Sequence, residues 1–215
     1  MNASTVGATS PVVSRRLGIA GSASGYRART TQLLVDVLSA IAPLAAAVDI
    51  GAGDGGLAAV LMREGLVGRC IPVDIKRRET VEIEPVLFDG HTLPFDDASV
   101  DLAYAVDVAH HADDPVRFIC EMARVSSRWL LLKDHTHATR AGKLALRAMD
   151  EIGNRRFGIG SPGNYQREFE WFRVLEAGGY RLHHLVHPAR CHTGALGALT
   201  NRLQFVALFE KQRGR

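Results

Sequence analysis

The chain has 215 residues, of which 47% are hydrophobic and 23% charged, a balance typical of a globular domain and not of a disordered chain. Its formal net charge of +3 is too small to indicate nucleic-acid binding, so we expect no nucleic-acid partner. No apolar run approaches the roughly 20 residues that a membrane-spanning helix needs. The composition therefore predicts a globular protein without a membrane span.

The first residues are small and polar, where a secretory signal would carry an apolar run. We therefore expect residues 1–24 to form a flexible tail, residues 25–215 to form one domain, and the protein to be cytoplasmic. Its three cysteines are far apart and form no C-x-x-C pair. This spacing argues against a disulfide framework and against a cysteine-based zinc site.

Hydrophobic periodicity and turn residues predict alternating helices and strands. In chain order these are helix 26–42, strand 45–50, helix 55–64, strands 69–74, 81–88 and 100–106, helix 115–125, strand 128–133, helix 165–177, and strands 180–186 and 203–209. Such alternation is typical of an α/β fold, in which right-handed crossovers place helices on both faces of a parallel sheet.

A glycine-rich turn between the first predicted strand and the following helix is the clearest local motif. Gly51, Gly53 and Gly56 fit G-x-G-x-x-G, and Asp74 follows at the end of the next strand. Glycines allow a tight turn close to a ligand, and an acid at that strand end can bind two ribose hydroxyls. These features also fit an NAD(P)-binding oxidoreductase, which remains an alternative.

Asp49 adds an acid two residues before the first glycine, so that the loop also reads D-x-G-x-G-x-G. A carboxylate at this position suits a cationic amino or sulfonium ligand better than a pyrophosphate, which a helix N-terminus would neutralise. The oxidoreductase alternative would also need a proton donor such as Tyr-x-x-x-Lys, and no such motif is present in the sequence.

Three further motifs follow in order: LFDGHTLPFDDASVDL at 87–102, VDVAHHADDP at 106–115 and LLKD at 131–134. With the glycine loop, they make residues 45–134 resemble the class I S-adenosylmethionine-dependent methyltransferases, in particular the small-molecule group (methyltransferase type 11) similar to quinone-biosynthesis enzymes. The resemblance implies a Rossmann-like, doubly wound, seven-stranded sheet. It would be mostly parallel, with an antiparallel last strand at 203–209 and a helical N-terminal cap.

The same resemblance implies a methyltransferase of EC 2.1.1 type with S-adenosyl-L-methionine as cofactor. The methyl group would pass by in-line displacement to O, N or C of a small or medium-sized metabolite. A homodimer is the assembly we consider. A non-catalytic role, as a cofactor-binding regulator or partner subunit, remains open because the sequence contains no secure catalytic base.

By the resemblance, the loop and the next strand end would hold most of the cofactor. Asp49, Gly51 and Gly53 would line its methionine and ribose parts. Asp74 would bind the ribose hydroxyls, and Ile75 would pack on the adenine.

Two later strand ends would complete this cofactor site. Asp89 would accept a hydrogen bond from the adenine amino group, with Gly90 giving its amide to the ring. Asp107 would lie near the methionine end and the transferred methyl group.

Four histidines follow strands whose carboxyl ends should face the site: His110, His111, His135 and His137. A histidine can remove the proton of an oxygen or nitrogen acceptor near neutral pH. We take His135 and His111 as the catalytic candidates, with packing in a tight turn as the alternative for His110 and His111. The histidines near the C-terminus show no closed zinc pattern, and we expect no metal.

Residues 135–164 interrupt the passage from the fifth strand to the next helix. Insertions over the carboxyl end of a strand often bind acceptors, and Asp150, Asn154 and Tyr165 are the substrate-binding candidates. The alternative is a helix and loop that only cover the sheet.

Overall fold

The computed structural model describes residues 25–154, with the side chains of 152–154 excepted, and residues 162–212. The tail expected at 1–24 and part of the expected insertion, residues 155–161, lie outside these ranges. Among the described residues, no helix combines the length and the apolar character that crossing a bilayer requires.

Helices and strands alternate through most of the described part of the chain. In order they are α1 (Gly25–Ser39), β1 (Leu44–Ile50), α2 (Gly56–Arg63), β2 (Val67–Asp74), β3 (Val86–Leu87), β4 (Val100–Val106), α3 (Pro115–Val125), β5 (Ser126–His137), α4 (Arg140–Asn154), β6 (Gln166–Arg167), α5 (Glu170–Ala177), β7 (Tyr180–Val186), α6 (Gly194–Thr200) and β8 (Gln204–Lys211). Short 3-10 turns cover Ala109–His111 and Asn201–Leu203.

Seven strands form one sheet in the order β3-β2-β1-β4-β5-β8-β7, and β6 pairs only with β5. The strands β1 to β5 pair in parallel, whereas β8 is antiparallel to both β5 and β7. The expected mostly parallel sheet with an antiparallel last strand is confirmed. Strand order reverses between β1 and β4, and open α/β sheets bind ligands beyond the carboxyl ends of the strands at such a point.

Both faces of the sheet are buried because successive residues of the central strands point to opposite sides. In β1, Val48 packs with α3 and α5, through residues such as Ile119 and Phe172. Its neighbour Ala47 packs instead with α1 and α2, through residues such as Leu34 and Leu61. The result is a three-layer arrangement with the carboxyl ends of β1, β2, β4 and β5 at one edge.

Two elements begin several residues later than predicted. The third strand is two residues long, not 81–88, because the backbone amides of Glu82 and Ile83 donate to the carbonyl oxygen of Asp54 in the glycine loop. The helix predicted at 165–177 begins only at Glu170, after Glu168 and Phe169 adopt left-handed backbone angles that interrupt a helix.

The fifth strand is longer than predicted and continues through His137. Residues 135–137 of the expected insertion therefore belong to β5, and α4 supplies the helix of that segment.

Candidate functional site

The glycine loop between β1 and α2 has a backbone that only glycine adopts without strain. Gly51 and Gly55 both have φ of 73°. A Cβ on Gly51 would lie 2.4 Å from a methyl carbon of Val108, and one on Gly55 would lie 2.8 Å from the carbonyl oxygen of Ile83. At Gly53, by contrast, a Cβ would meet no heavy atom of the described residues within 4 Å. The loop is thus packed on its inner side and open at Gly53.

Asp74, at the end of β2, holds this open part of the loop. Its Oδ2 accepts a hydrogen bond of 2.8 Å from the Gly53 amide, and its Oδ1 accepts one of 3.1 Å from the Lys76 amide. The next residue, Ile75, is 66% exposed, and a Cβ on Gly90 would lie 3.2 Å from its Cγ2 atom. The structure therefore brings the predicted ribose and adenine residues together.

Asp49 lies at the inner end of the same loop and is 3% exposed. Its Oδ2 is buried and has no hydrogen-bond partner among the described residues. Burial raises the pKa of Asp49 to about 7, although a hydrogen bond with the Tyr104 hydroxyl opposes this shift. A buried carboxylate with an unused oxygen is stabilised by a cationic group, such as an ammonium, placed beside it.

In the structure, the side chain of Asp89 stabilises a turn. Its Oδ1 accepts hydrogen bonds from the amides of His91 and Thr92, at 2.7 and 2.8 Å, and these bonds lower the pKa of Asp89. Gly90 follows with φ of 83°. Both residues lie in one exposed turn beside Ile75.

Asp107 directly follows β4 and belongs to a largely buried network that joins this strand end to α1, β5 and β8. Its Oδ1 accepts from Lys133 Nζ at 2.5 Å, and its Oδ2 accepts from the Tyr26 hydroxyl at 2.7 Å. Lys133 also donates to Tyr26 and, at 2.6 Å, to Gln204 Oε1. All three ammonium protons of Lys133 can thus be satisfied.

Neighbouring groups in this network set the protonation states of Asp107 and Tyr26. Although burial opposes ionisation of Asp107, the ammonium of Lys133 and the nearby ring of His135 lower the pKa of this carboxyl. Burial, together with the charge of Asp107, raises the pKa of Tyr26 well above its ordinary value. The network therefore consists of a carboxylate, an ammonium and a neutral phenol.

A second buried network lies beside the first, at the end of β5. Asp134 Oδ1 is 2.6 Å from His110 Nδ1 and accepts from the backbone amide of His135 at 2.7 Å. Burial disfavours protonated His110, but Asp134 and Asp150 outweigh it and raise the pKa of His110 to about 10. Burial lowers the pKa of His135, and its contact with Asp134 only partly offsets this.

The insertion reaches this second network through Asp150 of α4 and through Tyr165. The Tyr165 hydroxyl donates to Asp150 Oδ2 at 2.7 Å, and the Tyr165 ring stacks on His110 with centroids 5.2 Å apart. Asp150 Oδ1 faces the ring nitrogens of His110 and His111, at 3.5 and 3.9 Å. The candidate Asn154 ends α4, and its side chain lies outside the described residues.

Residues 48–128 match a family of known proteins described as a methyltransferase domain. The match runs from β1 into β5 and includes the glycine loop, Asp74 and the end of β4. Over these residues the chain is similar to a methyltransferase domain. The resemblance inferred from the sequence motifs is thereby confirmed.

Several solved structures of methyltransferases share the fold of this chain. Magnesium protoporphyrin IX methyltransferase from Synechocystis PCC 6803, with bound S-adenosylhomocysteine, is 16% identical, with 89% of this chain and 90% of that chain covered and a TM-score of 0.58. An S-adenosylmethionine-dependent methyltransferase from Mesorhizobium loti is 15% identical, with 81% and 96% covered and a TM-score of 0.57.

A third similar structure is a chain from the complex between the Haloferax volcanii Trm112 methyltransferase activator and a candidate methyltransferase. It is 15% identical, with 84% of this chain and 89% of that chain covered and a TM-score of 0.60. At these identities the likeness shows the fold alone. No curated protein matches the chain by sequence.

Sequence reasoning missed three side chains of the candidate site: Tyr26, Lys133 and Gln204. Lys133 had a usable signal, because a charged residue directly after the apolar stretch of a buried strand is unusual. The sequence gives no such signal for Tyr26 or Gln204. Tyr26 is 81 residues from its partner Asp107, and Gln204 is 71 residues from Lys133.

Proposed function

We propose that this protein is an S-adenosylmethionine-dependent methyltransferase that methylates O, N or C of a small or medium-sized metabolite. The observation that carries the proposal is the contact between Gly53 and Asp74, which fixes an open glycine loop beside a carboxylate. The exposed Ile75 next to it supplies the apolar surface that an adenine ring would cover.

The proposed cofactor site follows the carboxyl edge of the sheet from β2 to β4. Asp74 would bind the ribose hydroxyls, and Ile75, Asp89 and Gly90 would contact the adenine. The unused buried oxygen of Asp49 supports binding of the cationic methionine portion, near Gly51 and Gly53. Asp107, fixed by Lys133, would lie beside the methyl end.

The bound cofactor supplies a methyl group on a sulfonium, which is ready for displacement by an acceptor atom in line with the C–S bond. The protein's own contribution would be to orient the acceptor and to exclude water. We propose His135 as the group that takes up the proton of an oxygen or nitrogen acceptor. Its Nδ1 lies 3.3 Å from Asp134 Oδ1 and 3.7 Å from Asp107 Oδ1, and these carboxylates would stabilise the imidazolium that forms. His111 is the second candidate, and Asp150, Asn154 and Tyr165 would face the acceptor.

Calorimetry with S-adenosylmethionine, S-adenosylhomocysteine and NAD⁺ tests the proposed cofactor. We expect binding of both sulfur nucleosides and no heat with NAD⁺. Binding of NAD⁺ alone would overturn the proposal in favour of the oxidoreductase alternative. Nucleoside binding without transfer to any acceptor would instead favour a non-catalytic cofactor-binding role.

Replacing Asp74 by alanine tests the site itself. Charge-assisted hydrogen bonds contribute about 1.5–3 kcal/mol, so Asp74→Ala should weaken S-adenosylhomocysteine binding by at least about tenfold. Asp97→Ala is the matched control, because Asp97 pairs with Arg124 on the surface. Equal dissociation constants for the two variants would contradict the proposed role of Asp74.

A further inference from the structure

The side chains of His110, His111 and Asp150 converge in a way that the proposed cofactor does not use. One ligand atom from each lies within 4.8 Å of the other two. His110 and His111 come from the 3-10 turn after β4, whereas Asp150 comes from α4. The side chains are 1%, 20% and 13% exposed, respectively. The fold therefore brings two imidazoles and a carboxylate together in a largely buried position.

The distances between these atoms fit a common metal ligand sphere. Asp150 Oδ1 is 3.5 Å from His110 Nε2 and 3.9 Å from His111 Nε2. Metal–ligand bonds of about 2.0–2.1 Å in a tetrahedron separate neighbouring ligand atoms by about 3.3 Å. Small side-chain shifts would therefore bring all three atoms onto one ion.

Neighbouring side chains orient the proposed ligand atoms of His110 and Asp150 in the way that is common in metal sites. Asp134 Oδ1 lies 2.6 Å from His110 Nδ1. When an ion displaces the Nε2 proton of the imidazolium, this carboxylate would hold the remaining proton on Nδ1, and the Nε2 lone pair would face Asp150. A carboxylate on the outer nitrogen of a metal-binding histidine is the usual arrangement. Tyr165 similarly donates to Asp150 Oδ2 at 2.7 Å, which leaves Oδ1 directed at the imidazoles.

The Nε2 atom of His110 gives independent support for a bound ion. This nitrogen is buried and makes no hydrogen bond within the described part of the chain. A buried polar atom left unsatisfied costs about 1–3 kcal/mol. Asp150 Oδ1 faces this nitrogen at 3.5 Å, and an ion placed between the two atoms would give the buried nitrogen a partner.

We propose that His110, His111 and Asp150 bind one divalent transition-metal ion of the zinc type. Two imidazoles and one carboxylate are a set that zinc uses with an open position for water or substrate, and imidazole disfavours Mg²⁺ and Ca²⁺. Asp134 is a positioning residue in this site, because its Oδ1 lies against His110 Nδ1, on the side of the imidazole ring away from the proposed ligand atom Nε2. This inference does not depend on the proposed methyl transfer.

The test titrates chelator-treated protein with Zn²⁺, Co²⁺ and Mg²⁺ in a calorimeter. We expect one Zn²⁺ per chain with a Kd of about 10 µM or tighter, a visible d–d absorption band with Co²⁺, and no binding of Mg²⁺. Absence of Zn²⁺ binding and of the Co²⁺ band in the parent protein would overturn the proposal whatever the variants do.

Two ligand variants and a matched control locate the ion. His111→Asn and Asp150→Asn should each weaken Zn²⁺ binding by at least about tenfold and should abolish the rise in Tm that Zn²⁺ gives the parent protein. His184→Asn removes an exposed imidazole from β7 and should change neither result. Parent-like affinity in both ligand variants, or an equal loss in His184→Asn, would mean that Zn²⁺ binds only to surface histidines.

The two proposals fail separately. S-adenosylhomocysteine binding measured without metal reports on the glycine loop and Asp74. Zn²⁺ binding measured without the nucleoside reports on His110, His111 and Asp150. Either result can be negative while the other is positive.

Discussion

Asp49 shows how one buried side chain can make both stability and binding depend on pH. Its folded pKa of about 7 lies above the value of about 3.9 in an unfolded chain. Between these pH values the folded state binds more protons than the unfolded state, so the free energy of unfolding falls as pH rises from about 4 to 7.

We therefore expect Asp49→Asn to gain stability relative to the parent protein as pH rises from 5 to 8, by about 2–4 kcal/mol. Urea denaturation at the two pH values measures this difference. The exposed Asp97→Asn serves as the control and should show no such gain. A pH-independent difference between Asp49→Asn and the parent would contradict the burial argument.

The same carboxyl predicts the pH dependence of cofactor affinity. The ammonium group of S-adenosylhomocysteine favours ionised Asp49, so affinity should rise from pH 5 to about 7 and level off above it. Calorimetry across this range should show the rise for the parent protein and a flat profile for Asp49→Asn. A parallel rise in both would mean that another group titrates.

The pair formed by Lys133 and Asp107 illustrates the cost of breaking a buried ion pair. Lys133 is fully buried and Asp107 is 23% exposed, and removal of one partner of a buried pair costs about 3–5 kcal/mol. Since Asp107 retains some contact with solvent, we expect Lys133→Met to lower the free energy of unfolding by about 2–3 kcal/mol.

The double variant Lys133→Met/Asp107→Asn tests whether the pair explains this loss. It should recover at least about 1 kcal/mol relative to Lys133→Met alone, because the uncompensated charge is gone. Strictly additive losses in urea denaturation would show that the two side chains are not coupled.

At the scale of single elements, α3 depends on its N-terminal cap. Asp114 Oδ1 accepts from the amides of Val116 and Arg117, both at 3.0 Å, and Pro115 occupies the first helical turn. Asp114→Ala should therefore lower the free energy of unfolding by about 1 kcal/mol. Asp113→Ala, one residue earlier and also exposed, should be nearly neutral. Reversed effects would place the cap at Asp113.

Elements with strong local signals could be predicted to the residue. Strand β4 and helix α3 have the predicted bounds, 100–106 and 115–125, because an apolar run and an Asp-Pro start specify them locally. The third strand and the start of α5 could not be predicted. The extent of the third strand depends on hydrogen bonds with the distant glycine loop. The first residue of α5 depends on the left-handed backbone of Glu168 and Phe169.

The candidate site also has one part that the sequence predicts and one part that it does not. The contact between Gly53 and Asp74 follows from a motif spacing that the sequence displays. The convergence of Asp150 with His110 and His111 does not, because it depends on how α4 crosses the edge of the sheet. A sequence pattern shows only which residues are near each other along the chain, whereas the cluster of Asp150, His110 and His111 forms through tertiary packing.

At the scale of the whole molecule, the shared sheet should couple its two faces. Trp129 packs with the α1 and α2 side, and Trp171 packs with the α3 and α5 side. We therefore expect both sides to unfold in one transition, since loss of either helical layer exposes strands that the other layer also needs. The single-tryptophan variants Trp129→Phe and Trp171→Phe report the opposite sides by fluorescence.

Within each variant, the fluorescence and circular dichroism midpoints in urea should coincide. A shift of both midpoints together between variants reflects only the altered packing of a Trp→Phe change. A fluorescence midpoint clearly separated from the circular dichroism midpoint in either variant would mean that one layer unfolds by itself.

The place of Tyr26 in the Asp107 network has a consequence for synthesis on the ribosome. The helix that carries Tyr26 is made first, yet its partners Asp107 and Lys133 are translated 81 and 107 residues later. At about 5–20 residues per second, Tyr26 waits roughly 5–20 s for Lys133. During elongation the nascent chain must therefore keep helix α1 available for docking, and the network is complete only after β8, which carries Gln204, has left the exit tunnel.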